Sequence, residues 1–132
     1  MSNLDIISNK ISSIRKYLAL LVEFRSRSKD EIKNDTTLAG AVERYAYLMV
    51  QATIDLAEAT VSYRSLRQPT TMAEAFVILK EGDIIGNDLC NNLIKMVGFR
   101  NVLAHDYEEL DFNILYSVIH QKTSEIEKFI TC

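Results

Sequence analysis

Leu4, Ile7, Ile11, Ile14, Leu18 and Leu21 recur at alternating spacings of three and four, with Ser12, Ser13, Arg15 and Lys16 between them. That spacing draws one apolar stripe along a helix and predicts an amphipathic element packed on others. Arg25, Arg27, Lys29, Asp30, Glu31, Lys33, Asn34 and Asp35 follow as a polar segment that reads as a connection. Asp35 is placed to accept a free amide at the next helix start. From Leu38 the alternation resumes through Val42, Tyr45, Met49, Ala52, Leu56, Ala59 and Tyr63. The run toward Leu66 predicts one long helix, roughly 40 Å at ~1.5 Å per residue, ended by Pro69. Thr71 and Glu74 have capping-box spacing before Ala75, Phe76, Ile78 and Leu79, and Gly82 can take the left-handed conformation that closes a helix. Asn87 or Asp88 can cap a fourth helix carrying Leu89, Leu93, Met96, Val97 and Leu103. Asp111 can cap a fifth that buries Phe112, Leu115, Ile119, Ile126 and Phe129 or Ile130. No strand pattern competes. The expectation is an all-α bundle of about five helices, antiparallel neighbours joined by short loops, in a single domain over residues 1–132.

Composition narrows the chemistry. A chain of 132 residues suits one domain, and four glycines with one proline leave no glycine-rich run to cradle phosphates. The two histidines, His105 and His120, and the two cysteines, Cys90 and Cys132, offer no short-spaced pair for a zinc site. A magnesium ion needs only one or two carboxylates, so counting leaves it open, though no spacing suggests one. Two cysteines make no dense disulfide framework, no signal-type segment precedes the first helix, and no apolar stretch approaches the roughly 20 residues that span a bilayer. A cytoplasmic protein without a membrane partner is expected. With 15 basic against 18 acidic residues the net charge is −3, so nucleic-acid binding must come from a local arrangement.

Gly98-Phe99-Arg100-Asn101-Val102-Leu103-Ala104-His105-Asp106-Tyr107 breaks the apolar periodicity. Counting from Leu93 and Met96, Arg100 falls in the next apolar slot, which places a permanent charge on the packing stripe. Burying it unpaired would be costly. One reading is a structural arginine paired with a carboxylate or a helix terminus; the other is a group held for an anionic ligand. Asn101 and His105, four apart, share a helical face on which the amide can orient the imidazole. Arg100 and His105 are five apart and diverge by roughly 140° on an ideal helix at about 100° per residue. Their convergence requires the helix to end between them or a second protomer to contribute. Singly, His105 reads as a hydrogen-bonded structural histidine and Tyr107 as a half-buried tyrosine beyond a helix end.

Taken together, Arg100, Asn101 and His105 resemble the motif of the HEPN superfamily, in which an arginine is followed by a polar residue and, a few positions on, a histidine. Tyr107, two residues after the histidine, makes the resemblance closer to the HepT family. The likeness extends upstream through residues 41–45 and 51–57 and downstream through Asp111 and Tyr116. This resemblance implies a HEPN-type helical bundle acting as the toxin of a two-gene, type VII toxin–antitoxin pair. It implies a metal-independent endoribonuclease, needing no cofactor, whose cleft lies at a homodimer interface. It further implies a minimal nucleotidyltransferase antitoxin of the MntA type, which inactivates the toxin by transferring AMP to the tyrosine at position 107.

The residue chemistry is compatible with that implication. A histidine near pKa 6.5 can take a proton from a ribose 2′-hydroxyl or deliver one to a leaving oxygen, which suits His105. A guanidinium can hold two phosphoryl oxygens, which suits Arg100. Asn101 would orient His105 or donate to phosphate, and Tyr107 would position substrate or stack on a base. Asp55 borders the long helix's apolar stripe and reads as a solvated flank, although it resembles an acidic position of the family. Arg25, Arg27 and Lys29 are able to track an RNA backbone but read as solvated surface. Tyr45, Tyr47 and Tyr63 read as core or interface rather than a base-stacking platform. Cys90 reads as a small buried hydrophobe, and His120 has no motif neighbours. Two other functions fit the same residues: a non-catalytic HEPN subunit presenting substrate to a nucleotidyltransferase, or a helical dimerisation protein in which Arg100 and His105 complete a buried polar network.

Overall fold

A computed structural model describes residues 3–105 and 123–131, with the side chains at 3, 25, 29 and 102–105 outside that description. Among the described residues the regular structure is helical: α1 (Asn3–Val22), a 3₁₀ turn (Glu23–Ser26), α2 (Lys29–Asn34), α3 (Thr36–Tyr63), α4 (Met72–Glu81), α5 (Asn87–His105) and α6 (Thr123–Ile130). No described helix is long and apolar enough to cross a membrane.

The central element is α3. It packs most extensively along α1 and also meets α2, α4 and α5, while α4 meets α5 and α5 meets α6. The stripe expected on α1 faces this core through Ile14, Leu18 and Leu21, all buried; Ile7 and Ile11 are partly buried and Leu4 is exposed. From α3, Val42, Ala46, Met49, Val50, Ile54, Ala57 and Val61 fill the interior. Phe76 of α4 meets Phe129 of α6 edge to face at a centroid distance of 5.7 Å, which fixes the last described helix against the bundle. Cys90 is buried as expected, its thiol directed at the Phe76 carbonyl, and burial pushes its pKa up.

The polar segment after α1 does more than connect. Ser28 accepts from the Glu31 amide while Glu31 accepts from the Ser28 amide, a complete capping box that starts α2 and buries Ile32. Full burial of that one side chain contributes on the order of 2 kcal/mol and anchors an otherwise charged turn. Asp35 caps α3 as expected, its carboxylate accepting from the Leu38 amide at 3.1 Å.

Three boundaries differ from expectation. α3 ends at Tyr63, well before Pro69, because Ser65 turns the chain with a left-handed φ of 55° and the Leu66 amide bonds back to the Val61 carbonyl. At the end of α4, Gly82 stays at φ −84° and Asp83 takes the left-handed φ of 59°. Aspartate tolerates that region better than most side chains, so the turn does not need the glycine. Asn87 is the first residue of α5 rather than its cap, and the Gly86 carbonyl accepts the Cys90 amide. Thr71 caps α4 as expected, but the Glu74 side chain turns instead to Arg67 and Thr70. Arg67 also grips both carboxylate oxygens of Glu81 at 3.0 Å, clipping the α3–α4 connection to the end of α4. The expected Asp111 cap and the positions of Phe112, Leu115 and Ile119 lie outside the described residues.

Candidate functional site

Arg44, Tyr47, Gln51 and Asp55 succeed one another at spacings of three, four and four, which aligns them on one face of α3 beside its apolar stripe. Arg100 of α5 reaches across to this face. Its Nε donates to Gln51 Oε1 at 2.7 Å, and its guanidinium carbon lies 5.6 Å from the Tyr47 ring centroid. The anomaly seen in the apolar periodicity thus has a physical resolution. The aliphatic stem and one face of the guanidinium are accommodated against α3, while neutral groups hold the charge.

The hydrogen bonds run on in a definite order. Arginine only donates, so the Gln51 oxygen must face Arg100, and the Gln51 Nε2 is left to donate to Asp55 Oδ1 at 2.9 Å. The other Asp55 oxygen is paired with Lys10 of α1 at 3.2 Å. Asp55 therefore steadies Arg100 through an amide without pairing with it directly. A direct carboxylate fork would engage two of the guanidinium's donors and neutralise it; the interposed amide engages only Nε. Burial, together with the Asp55 charge, raises the pKa of Glu58 one turn further along α3.

Arg100 NH1 donates to Asn101 Oδ1 at 3.1 Å. The Asn101 oxygen thus serves Arg100. α5 runs unbroken from Arg100 to His105, where its described residues stop. The His105 side chain and the whole of Tyr107 lie outside the described residues.

The structure brings Arg100 and Asn101 together and adds Gln51, Tyr47 and Asp55, which periodicity had assigned to the long helix without a site role. Asp55 is a linking carboxylate rather than a solvated flank, and Tyr47 is a partner of two arginines rather than simple core. The sequence signal for them is the three-four-four spacing of polar and aromatic residues on α3, which periodicity reveals only when polar positions are tracked as well as apolar ones. Tyr45, by contrast, packs near Tyr17 of α1 at a centroid distance of 6.5 Å, and Tyr63 is exposed.

The family model described as ribonuclease HepT-like matches residues 14–132. The mRNA nuclease HepT of Shewanella oneidensis is 32% identical over 126 residues, 96% of this chain and 94% of that protein. The tRNA nuclease HepT of Aphanizomenon flos-aquae is 29% identical over 121 residues, 90% of this chain and 82% of that protein. Among solved structures, the tri-AMPylated Shewanella oneidensis HEPN toxin in complex with MNT antitoxin superposes with a TM-score of 0.87 at 31% identity, covering 99% of this chain and 96% of that one.

Proposed function

The chain belongs to the HepT-like ribonuclease family, and from that premise we propose that it is the toxin of a HEPN–nucleotidyltransferase pair, a metal-independent endoribonuclease whose cleft forms between two protomers. The observation that carries this reading is the setting of Arg100, a cation anchored by Gln51, Asn101 and Tyr47, none of which cancels its charge.

In the proposed reaction the ribose 2′-oxygen attacks the adjacent phosphorus, an O2′–P bond forms and the P–O5′ bond breaks. His105 takes the 2′-hydroxyl proton or supplies one to the departing 5′-oxygen. Arg100 holds the phosphoryl oxygens on which charge develops, using donors that its Nε anchor leaves free. Asn101 positions the imidazole.

The unbroken helix from Arg100 to His105 supports the dimer. On one helix the two side chains diverge by roughly 140° at about 100° per residue, and α5 is helical from Arg100 to His105, which favours a site made by juxtaposing two copies across a two-fold axis. The expected result is a dimer by light scattering, and a mixed dimer of one Arg100→Ala and one His105→Ala protomer that cleaves RNA although neither parent homodimer does. A monomer, or a mixed dimer as inactive as its parents, would overturn the shared cleft.

The relatives support the partner. A toxin of this fold is held by an MNT antitoxin in a tri-AMPylated state, and the proposed acceptor here is Tyr107.

A further inference from the structure

Tyr47 carries two guanidiniums. The Arg100 guanidinium carbon lies 5.6 Å from the ring centroid and that of Arg44, three residues before Tyr47 on α3, lies at 5.8 Å. The two carbons are therefore no farther apart than the sum of those distances, 11.4 Å. Like charges gathered this closely repel one another, and the ring's negative face offsets only part of that repulsion. The carboxylate nearest along the hydrogen-bond chain does not offset it either, since Asp55 is paired with Lys10 and reaches Arg100 only through Gln51. Lys10, Arg44 and Arg100 share this face of α3 with Asp55, Glu58 and Glu43, so its attraction for an anion comes from the two guanidiniums gathered at Tyr47 and not from an excess of positive charge.

From this placement we infer that Arg44 is a second phosphate-binding residue and Tyr47 the positioning residue that spaces it from Arg100. The ligand is single-stranded RNA. Arg100 takes the phosphate at the cleavage position and Arg44 the phosphate next to it along the strand. The inference rests on the ribonuclease reading above and deepens it by assigning where the substrate backbone runs. Arg44 is exposed, so its guanidinium is accessible to a ligand, whereas Arg100 is half-buried and held from three sides. This division of labour suits one group that must be placed accurately and another that gathers the strand.

The test is the affinity of the full chain for a short single-stranded 2′-O-methyl oligoribonucleotide, which lacks the attacking hydroxyl and cannot be cleaved, measured across a range of salt concentrations. Each phosphate contact on a single strand contributes a slope of about 0.7 in log affinity against log salt. Arg44→Gln is expected to lower the slope by about 0.7 and to weaken binding on the order of tenfold at low salt. Arg15→Gln, an equal loss of charge on an exposed part of α1, is expected to leave the slope in place. Tyr47→Leu should weaken binding, and Tyr47→Phe, which keeps the ring, should restore most of it. An unchanged slope in Arg44→Gln, an equal change in Arg15→Gln, or no binding by the wild-type chain overturns the inference. Parallel incubation with the unmodified oligoribonucleotide separates the two readings. Cleavage without an Arg44-dependent slope sinks the clamp alone, and an Arg44-dependent slope without cleavage sinks the nuclease reading alone.

Discussion

Alanine at Arg100 or at His105 is expected to remove RNA cleavage and growth inhibition while the bundle stays folded. For His105 the loss should be roughly 10²–10⁴-fold, the usual worth of a positioned proton-transfer group. For Arg100 it should be roughly 10²–10³-fold, the worth of one preorganised donor to a developing oxyanion. The fold should survive because Arg100 contributes no carboxylate pair to the core: its removal leaves Gln51 still bonded to Asp55, and Tyr47 still in place on α3. Arg100→Lys is a sharper variant. It keeps a positive charge but loses the Nε anchor and the planar fork, and it should not restore the rate. Thermal melts and turnover on a labelled single-stranded RNA would check all three. An active His105→Ala protein, or an Arg100→Ala protein that is merely unfolded, would contradict the assignment.

Co-expression with the cognate nucleotidyltransferase is expected to place AMP on Tyr107 and to silence the nuclease. Tyr107 stands two residues after His105 in sequence, so an added phosphodiester would bring bulk and negative charge to the place where substrate phosphate must bind. Arg100 is the natural counter-ion, which makes the modification a mimic of the substrate as well as a plug. Tyr107→Phe should take no AMP and should stay toxic in the presence of the antitoxin, with a reduced rate if the hydroxyl helps to position RNA. Intact-mass and peptide spectrometry read the site directly. AMP confined to another residue, or full activity in quantitatively modified protein, would refute this control.

The parts of the fold legible in the sequence are those whose buried face repeats along a long enough stretch. α1, α3 and α5 declare themselves because each places several core residues at helical spacing, and Asp35 and Thr71 declare two starts because capping depends on one local side chain. α2 stays hidden for the converse reason. It is six residues long and buries only Ile32, too little for a period, and the Ser28 and Glu31 capping box was its one readable mark. The left-handed turns at Ser65 and Asp83 fall beside the residues expected to end the helices, since backbone hydrogen bonding, not glycine or proline alone, decides where a helix stops. At the site, Arg100 could be found as a charge on an apolar stripe, but its anchor could not. Gln51 lies 49 positions away, and only the packing of α3 on α5 shows that the two side chains meet. The i, i+4 spacing of Gln51 and Asp55 was visible; its purpose was not.

The central claim is that this chain cleaves RNA through its own side chains and the substrate's 2′-hydroxyl. Purified protein, incubated in excess EDTA with a single-stranded RNA and with the same strand carrying 2′-deoxyribose at the cleaved position, tests it most directly. The account predicts cleavage of the all-ribose strand at an undiminished rate, a 2′,3′-cyclic phosphate on the upstream fragment, a 5′-hydroxyl on the downstream fragment, and no cut in the deoxy-substituted strand. Loss of activity in EDTA that added metal restores, or a 5′-phosphate on the downstream fragment, would contradict it.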